Sequence, residues 1–226
     1  MPRKLGLVTI GQSPRKDLVE DFLKILPQNI EIIEVGALDD FKNREEAELS
    51  ISPGPGETLY ISRLRDGAEV RISKEKLIPL MQSKISYLEL AGVDIIGLLC
   101  SGEFPEFICK VPVIYPDKIL KNVVASISFK GKSAILIPNK DQVSYAYNKW
   151  STYLEDLEIF PISPYTSDID DFIELGRVIH EKGFRLVVMD CMGYRMSHKN
   201  ALKTHALDAI IITTRGVLGK VISEMF

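Results

Sequence analysis

Apolar residues in the N-terminal part of the chain form short continuous runs separated by stretches with helical spacing. The run Lys4–Ile10 predicts a buried strand, and the loop Gly11–Arg15 leads into a helix that extends to about Leu26. A second strand is predicted over Ile30–Val35. Strands that are apolar on both faces and alternate with helices indicate a parallel sheet that is covered on both sides.

The segment after the second predicted strand interrupts this alternation. Residues 39–48 are strongly charged, and Ser52–Gly56 is a loop by its proline and glycine content. Two strand-like runs, Thr58–Leu64 and Ala68–Ile72, flank the turn sequence Arg-Asp-Gly, which predicts a β-hairpin. We therefore interpret the residues from about 39 to 75 as an insertion.

One pattern occurs twice in the rest of the chain. Helix-spaced apolar residues end at a glycine that can cap the helix, an apolar strand follows, and the strand ends at a cysteine. Both copies read Gly-x7-Cys-x-Gly with an offset of 91 residues, and the matched positions are Gly92, Cys100 and Gly102 in the first copy and Gly183, Cys191 and Gly193 in the second. In the second copy Ser167 is the expected N-cap of the helix. We predict an α/β fold of two pseudo-symmetric parallel-sheet lobes with a β-hairpin insertion in the first lobe.

The composition narrows the class of function. Of the 226 residues, 46% are hydrophobic, which is enough to form a core, and the formal net charge is −3. Because no long run carries a single sign of charge, we expect no nucleic-acid partner and no polybasic membrane anchor. The sequence has no apolar stretch of membrane-spanning length and no signal-peptide pattern, so we expect a cytoplasmic protein that binds a small molecule.

Cysteine is the residue type with the clearest chemical potential in this sequence. Cys100 and Cys191 each follow directly after a predicted strand, where ligands bind in parallel α/β sheets. Symmetry between the lobes would bring both thiols to one cleft. Inversion of an α-carbon needs a base on one face and an acid on the other, and thiols can hold or release a proton near neutral pH. The alternative is that both thiols are packing residues retained after a duplication, which is how we interpret Cys109.

A carboxylate bound beside these thiols needs hydrogen-bond donors. Small residues after each cysteine expose backbone N–H groups, and the loop after the first strand offers hydroxyl, amide and guanidinium groups. In the second half, the corresponding loop and the segment Thr213–Arg215 are further candidates. The candidate substrate-binding residues are Thr9, Gln12, Arg15, Ser101, Gly102, Asn139, Met192, Gly193 and Thr213.

Several polar residues near these positions have structural interpretations. Ser13 is expected to be a helix N-cap with Pro14 at the first helical position, in which case Arg15 points either outward or toward the crevice. Asp190 adjoins Cys191, but neighbouring strand residues face opposite sides, so we expect Asp190 to cap or anchor a neighbouring loop.

The three histidines give no metal site. His198 either reaches the crevice or lies on a solvated helix surface. His180 and His205 have no ligand-like spacing with each other or with the cysteines, so we expect no metal and no other cofactor.

Four motifs resemble the AroM family within the aspartate/glutamate racemase superfamily, and the similarity extends over nearly the whole chain. These motifs are Leu7-Val-Thr-Ile-Gly-Gln-Ser-Pro-Arg15, Leu98-Leu-Cys-Ser-Gly102, Val111-Pro-Val-Ile114 and Val188-Met-Asp-Cys-Met-Gly193. The resemblance implies a cofactor-independent racemase fold whose C-terminal helix returns to the first lobe. The first lobe is then 1–116 plus 213–226, and the second is 117–212. The superfamily resemblance also implies a homodimer.

The sequence departs from glutamate racemases after both cysteines. Their Cys-Asn-Thr is replaced by Cys100-Ser-Gly, and their Cys-Thr-His is replaced by Cys191-Met-Gly. The histidine that assists the thiol in those enzymes is missing, which argues against glutamate as the substrate.

These observations support one leading hypothesis and two alternatives. The leading hypothesis is a racemase or epimerase that acts on a small carboxylate or amino acid, with Cys100 and Cys191 as opposed acid and base. The first alternative is an isomerase or decarboxylase that uses one thiol on the same fold. The second is a non-catalytic, two-lobed metabolite-binding module whose hairpin contacts a partner or completes a dimer.

Overall fold

The computed structural model describes residues 3–226, which form two compact units. Unit 1 comprises the described residues up to Pro116 together with Gly219–Phe226, and unit 2 comprises Asp117–Leu218. The sequence placed the second boundary at residue 213, whereas unit 2 continues to Leu218. The last helix, Thr214–Met225, therefore begins in unit 2 and ends in unit 1.

Unit 1 is built on a parallel sheet. Its strands are β1 (Arg3–Thr9), β2 (Ile30–Gly36), β3 (Leu59–Arg63), β4 (Glu69–Ser73), β5 (Ile95–Leu99) and β6 (Val113–Ile114), and its helices are α1 (Lys16–Leu23), α2 (Arg44–Ile51) and α3 (Lys74–Leu90). The four-stranded sheet has the order β2-β1-β5-β6 with parallel neighbours, while β3 and β4 form a separate antiparallel pair.

Unit 2 repeats this topology. Its strands are β7 (Ser133–Ile137), β8 (Leu157–Pro161), β9 (Leu186–Met189) and β10 (Ile210–Thr213), and its helices are α4 (Pro116–Ala125), α5 (Val143–Trp150), α6 (Ile169–Glu181) and α7 (Met196–Lys203). The last helix, α8 (Thr214–Met225), is shared between the two units. The order is β10-β9-β7-β8, again with parallel neighbours. In both sheets the first strand lies between the second and the third, and the fourth lies outside the third. This confirms the predicted α/β fold with two related parallel sheets.

The strands are covered on both faces, as their continuous apolar character predicts. In β7, Ala134 and Leu136 pack into one hydrophobic cluster, and Ile135 and Ile137 pack into another. All residues of β5 are buried as well. Because successive strand residues face opposite sides, two apolar faces require an uninterrupted apolar run.

The predicted glycine caps before β5 and β9 are confirmed. Gly92 has a φ of +74° and Gly183 a φ of +73°, which is the left-handed conformation that ends many helices. The N–H of Gly92 donates to the carbonyl of Glu89, and the N–H of Gly183 donates to the carbonyl of His180. Each strand therefore starts from the same turn, and each cysteine lies eight residues after its glycine.

The inserted hairpin is confirmed, and it packs on its own unit. Its turn is closed by a hydrogen bond from Leu64 N–H to the carbonyl of Ala68, at 2.9 Å. On the sheet side, the N–H of Gln12 donates to the carbonyl of Arg63, at 3.1 Å. The hairpin thus covers the carboxyl edge of the first sheet, next to the loop after β1.

Two helix starts differ from the sequence prediction. Ser13 is not an N-cap: its hydroxyl donates to Asp39 at 2.7 Å, and α1 begins at Lys16. The Asp39 carboxylate accepts both the hydroxyl and the backbone N–H of Ser13, so Ser13 is held by Asp39 and does not cap α1. For α6 the N-cap is Asp168 rather than Ser167, and the backbone N–H of Asp168 donates to the Asp171 carboxylate.

A helix in the charged part of the insertion was not predicted. Residues Arg44–Ile51 form α2, with the Asn43 side chain accepting a hydrogen bond from the N–H of Glu46. The Glu46 carboxylate in turn accepts from the N–H of Lys42, and these two bonds define the N-terminus. Within residues 3–226, no helix combines the length and the apolar character that a membrane span requires.

Candidate active site

Cys100 directly follows β5 in unit 1 and is buried. Its sulfur lies 3.3 Å from the backbone nitrogen of Gly102, which donates a hydrogen bond to it. Such a donor stabilises a thiolate more than a thiol, because the negative charge accepts the stronger bond. The turn after β5 therefore directs one backbone donor at the Cys100 sulfur.

Cys191 has the same arrangement in unit 2. Its buried sulfur lies 3.3 Å from the backbone nitrogen of Gly193, and the hydroxyl oxygen of Tyr165 lies 4.0 Å away. Both glycine N–H groups were expected to bind a substrate carboxylate. In the structure they are instead directed at the sulfur atoms.

A tyrosine ring packs against the glycine at each site. A Cβ on Gly102 would overlap the ring of Tyr60, and one on Gly193 would lie 2.7 Å from Cζ of Tyr165. The Tyr60 hydroxyl donates to the carbonyl of Glu103, at 2.8 Å. Neither tyrosine could be predicted from the sequence, because Tyr60 and Tyr165 lie far from the cysteines along the chain and on segments of different type. Only glycine fits under these rings, which explains the repeated Cys-x-Gly.

The loop after β1 brings Thr9 and Arg15 to the same edge as Cys100. Thr9 pairs with Leu99 in the parallel register, one residue before the cysteine. The buried guanidinium of Arg15 lies 3.5 Å from the Thr9 hydroxyl and 3.4 Å from the Ser62 hydroxyl. A bidentate pair with Asp17, at 2.8 Å for both bonds, fixes its orientation. Arg15 therefore points inward, which is one of the two orientations that the sequence allowed.

Gln12 connects the β1 loop to the insertion. Its amide nitrogen donates to the carbonyls of Leu38 and Phe41, at 3.1 and 3.0 Å, and its amide oxygen accepts from the N–H of Arg65, at 2.9 Å. These bonds use both amide protons. Gln12 was predicted to bind substrate, but in this geometry it holds the hairpin turn in place.

Two predicted binding residues of unit 2 lie at helix starts. The Asn139 side chain accepts from the N–H of Asp141, at 2.9 Å, and caps a short 3-10 turn after β7. The Thr213 hydroxyl accepts from the N–H of Gly216, at 3.1 Å, at the start of α8. Both residues follow or end a parallel strand, so they lie on the same edge of their sheet as Cys191.

Arg215 is buried beside the Cys191 turn. It donates from Nε and Nη2 to the carbonyl of Met192, at 3.1 and 2.7 Å, and from Nη2 to the carbonyl of Gly193, at 3.4 Å. The sequence had named Arg215 as part of a candidate segment. Its guanidinium is aimed at backbone carbonyls of the cysteine turn.

Asp190 was expected to cap or anchor a neighbouring loop. In the structure its carboxylate instead forms a buried hydrogen-bond network with helix α5. Its carboxylate accepts from Nζ of Lys149 at 2.8 Å and from the indole N–H of Trp150 at 2.7 Å. The Asp190 carboxylate is buried against α5, where an oppositely charged partner offsets the cost of removing its charge from water. Position 99, its equivalent in the first copy, is a leucine.

His198 is buried in the hydrophobic cluster next to the Cys191 turn. Its ring stacks on Phe172 at 4.4 Å, and its Nδ1 accepts a hydrogen bond from the N–H of Arg195. Burial, and then the charges of Arg195 and Arg215, lower the pKa of His198 to about 4. His198 is therefore neutral at pH 7. Among the described residues no group of histidine, cysteine and acidic side chains could hold a metal ion.

Comparisons with known proteins agree with this architecture. A family model described as AroM protein matches residues 5–226, and no curated protein sequence matches the chain. Aspartate racemase from Picrophilus torridus is 14% identical, with a TM-score of 0.57 over 99% of this chain and 94% of that one. Allantoin racemase from Klebsiella pneumoniae is 13% identical, with a TM-score of 0.60 over 99% and 87%. An unliganded arylmalonate decarboxylase is 11% identical, with a TM-score of 0.59 over 99% and 91%. At these identities the similarity establishes a shared fold.

Proposed function

This chain belongs to the AroM family and has a racemase-type fold, and from this premise we propose that it is a cofactor-independent isomerase acting at the α-carbon of a small carboxylate. The duplicated cysteine turn carries the proposal. At equivalent strand ends of two related units, a buried sulfur accepts an N–H bond from the glycine two residues later. A packing role requires only that a cysteine be buried, and it does not require an N–H donor directed at the sulfur.

In the proposed reaction the two sulfurs act on opposite faces of one α-carbon. A thiolate on one side removes the α-proton, and the thiol on the other side donates its proton to the resulting carbanion. Product release leaves the thiolate and the thiol exchanged, so the enzyme returns in the form needed for the reverse reaction. No electron transfer is involved.

The substrate carboxylate is proposed to bind at the edge of the first sheet. Arg15 and Thr9 lie there, and the Ser101 side chain follows Cys100 directly. A guanidinium and a hydroxyl bind a carboxylate through charge-assisted hydrogen bonds. The Asp17 carboxylate already offsets the positive charge of Arg15, and this favours a substrate that places a single carboxylate at this position.

A second candidate is decarboxylation through one thiol. The surroundings of the two cysteines differ, since Asp190 with its Lys149 partner precedes Cys191, and Leu99 precedes Cys100. Here the substrate loses carbon dioxide, and the Cys191 thiol gives its proton to the carbanion that remains. A decarboxylase is also among the proteins with this fold.

Solvent exchange at the α-carbon tests these proposals. The protein is incubated in deuterium oxide with a panel of amino acids, hydroxy acids and substituted malonates, and products are followed by proton NMR. We expect uptake at the α-carbon of at least one acid, and its loss in both Cys100→Ser and Cys191→Ser. Cys109→Ser is the matched control, because Cys109 is half-buried and its pKa is raised by desolvation, and it should keep the wild-type rate.

Other outcomes decide against the proposal. Uptake that depends on Cys191 alone, together with release of carbon dioxide from a malonate, supports the one-thiol candidate. Binding of an acid without exchange or decarboxylation, and unchanged in both serine variants, means that the protein is a metabolite-binding module.

A further inference from the structure

Arg215 and Cys191 are joined through a single peptide unit. The guanidinium holds the carbonyl of Met192 with two hydrogen bonds, at 2.7 and 3.1 Å. The amide nitrogen of the same peptide unit belongs to Gly193, and it lies 3.3 Å from the Cys191 sulfur. In a trans peptide the C=O and N–H bonds point in opposite directions. Fixing the carbonyl on one side therefore aims the N–H at the sulfur on the other.

The burial of Arg215 makes this restraint a firm one. The residue is 2% exposed, and its planar fork also reaches the carbonyl of Gly193 at 3.4 Å. A guanidinium presents its donors in a fixed geometry, so two adjacent carbonyls are held together in one orientation. Its positive charge also polarises the Met192–Gly193 peptide, which makes the N–H a stronger donor.

We propose that Arg215 is a positioning residue that stabilises the thiolate of Cys191 through the Met192–Gly193 peptide. It does not contact the sulfur or the substrate in this role. The inference deepens the proposed function and rests on it, since it concerns the thiol that removes or donates the α-proton. The hydroxyl oxygen of Tyr165 also lies 4.0 Å from the same sulfur.

The pH dependence of alkylation measures this effect without requiring an enzymatic substrate. A Cys100→Ser/Cys109→Ser background leaves Cys191 as the only cysteine, and its reaction with iodoacetamide reports the fraction of thiolate. Adding Arg215→Met should shift the alkylation profile of Cys191 to higher pH by about one unit, which slows the reaction about tenfold at a pH below both midpoints. Arg215→Lys should shift it less, because an ammonium can hold one carbonyl but lacks the fork.

Two controls separate this role from a general structural one. Arg177→Met removes an exposed arginine that pairs with Glu174 on α6, and it should leave the profile of Cys191 unchanged. In a Cys109→Ser/Cys191→Ser background, Arg215→Met should leave the profile of Cys100 unchanged, because Cys100 belongs to unit 1. An equal shift at both cysteines would mean that the variant loosens the whole protein, and it would overturn the proposal.

The remaining outcomes are equally decisive. An unchanged Cys191 profile in Arg215→Met would show that the held peptide does not tune the sulfur. If the alkylation shift is found but no acid exchanges its α-proton, the proposed isomerase function fails while the role of Arg215 stands. If exchange is found without the shift, the reverse holds.

Discussion

Lys149 and Asp190 form an ion pair in which both side chains are almost fully buried, with Nζ and Oδ2 2.8 Å apart. The indole N–H of Trp150 donates a second bond to the same carboxylate oxygen, at 2.7 Å. Asp190 immediately precedes Cys191, so this network anchors the end of β9 to helix α5. The first copy of the repeat has no equivalent carboxylate, because a leucine occupies position 99.

Asp190→Asn should destabilise the protein strongly. The asparagine can still accept from Trp150, but the buried ammonium of Lys149 loses the carboxylate to which it donates, and breaking such a pair costs about 3–5 kcal/mol. Urea unfolding followed by circular dichroism gives the change in the free energy of unfolding. Glu174→Gln is the control, because the Arg177–Glu174 pair is exposed and its loss should cost less than about 1 kcal/mol. An equal loss of unfolding free energy in the two variants would show that the buried ion pair stabilises the protein no more than the exposed one.

Gly193→Ala should push the ring of Tyr165 away from the Cys191 turn. The added Cβ would lie 2.7 Å from both Cζ and the hydroxyl oxygen of that ring. Overpacking of this kind costs about 1–3 kcal/mol, and displacement of the ring should make Cys191 react faster with iodoacetamide. Both the unfolding free energy and the alkylation rate are measured. Gly54→Ala is the matched control, since its Cβ would meet nothing closer than 3.6 Å and should change neither quantity.

Gln12→Ala should release the hairpin turn from the β1 loop. The substitution leaves the carbonyls of Leu38 and Phe41 and the N–H of Arg65 without this partner, at a cost of about 1–3 kcal/mol. Amide hydrogen exchange at Arg65 should accelerate, which locates the effect. Gln82→Ala provides the comparison, because Gln82 also bonds the N–H and carbonyl of one residue, Ile108, but at an exposed position. Protection of Arg65 that survives in Gln12→Ala would contradict this assignment.

The backbone scaffold could be predicted from the sequence because its signals are local or periodic. A run such as Leu186–Met189 is apolar at every position, and Gly183 marks the helix end before it. The N-cap of α6 was predicted one residue too early, because Ser167 and Asp168 are adjacent and both residue types cap helices. Helix α2 was missed although the pair Asn43 and Glu46 has the spacing of a capping box.

The contacts around the cysteines could not be predicted in the same way. Trp150 meets Asp190 across 40 residues of sequence, and no spacing rule relates a helix end to a strand end at that separation. The amide side chain of Gln12 suggested a substrate-binding residue, but its N–H groups donate to the backbone carbonyls of Leu38 and Phe41. The role of a polar residue depends on which unpaired backbone groups lie near it, and only the folded structure shows these.

The buried imidazole of His198 should make stability depend on pH between about 4 and 6.5. Burial is the largest cause that lowers the pKa of His198 from 6.5 to about 4, and the positive charges of Arg195 and Arg215 lower it further. Over this range the unfolded chain binds a proton that the folded chain does not, so stability falls as the pH falls. The contribution of the shifted His198 pKa to the free energy of unfolding is fully present above about pH 6.5 and is lost by about pH 4. It amounts to at most about 3 kcal/mol.

His198→Gln isolates this contribution, because a glutamine at the third helical position can still accept the N–H of Arg195. The variant loses the stacking on Phe172, so it should be less stable at pH 7, but its free energy of unfolding should decrease less than that of the wild type between pH 7 and pH 4. His180→Gln, at an exposed position of α6, should keep the wild-type slope. Parallel pH profiles for His198→Gln and the wild type would mean that His198 takes up its proton as readily in the folded protein as in the unfolded chain.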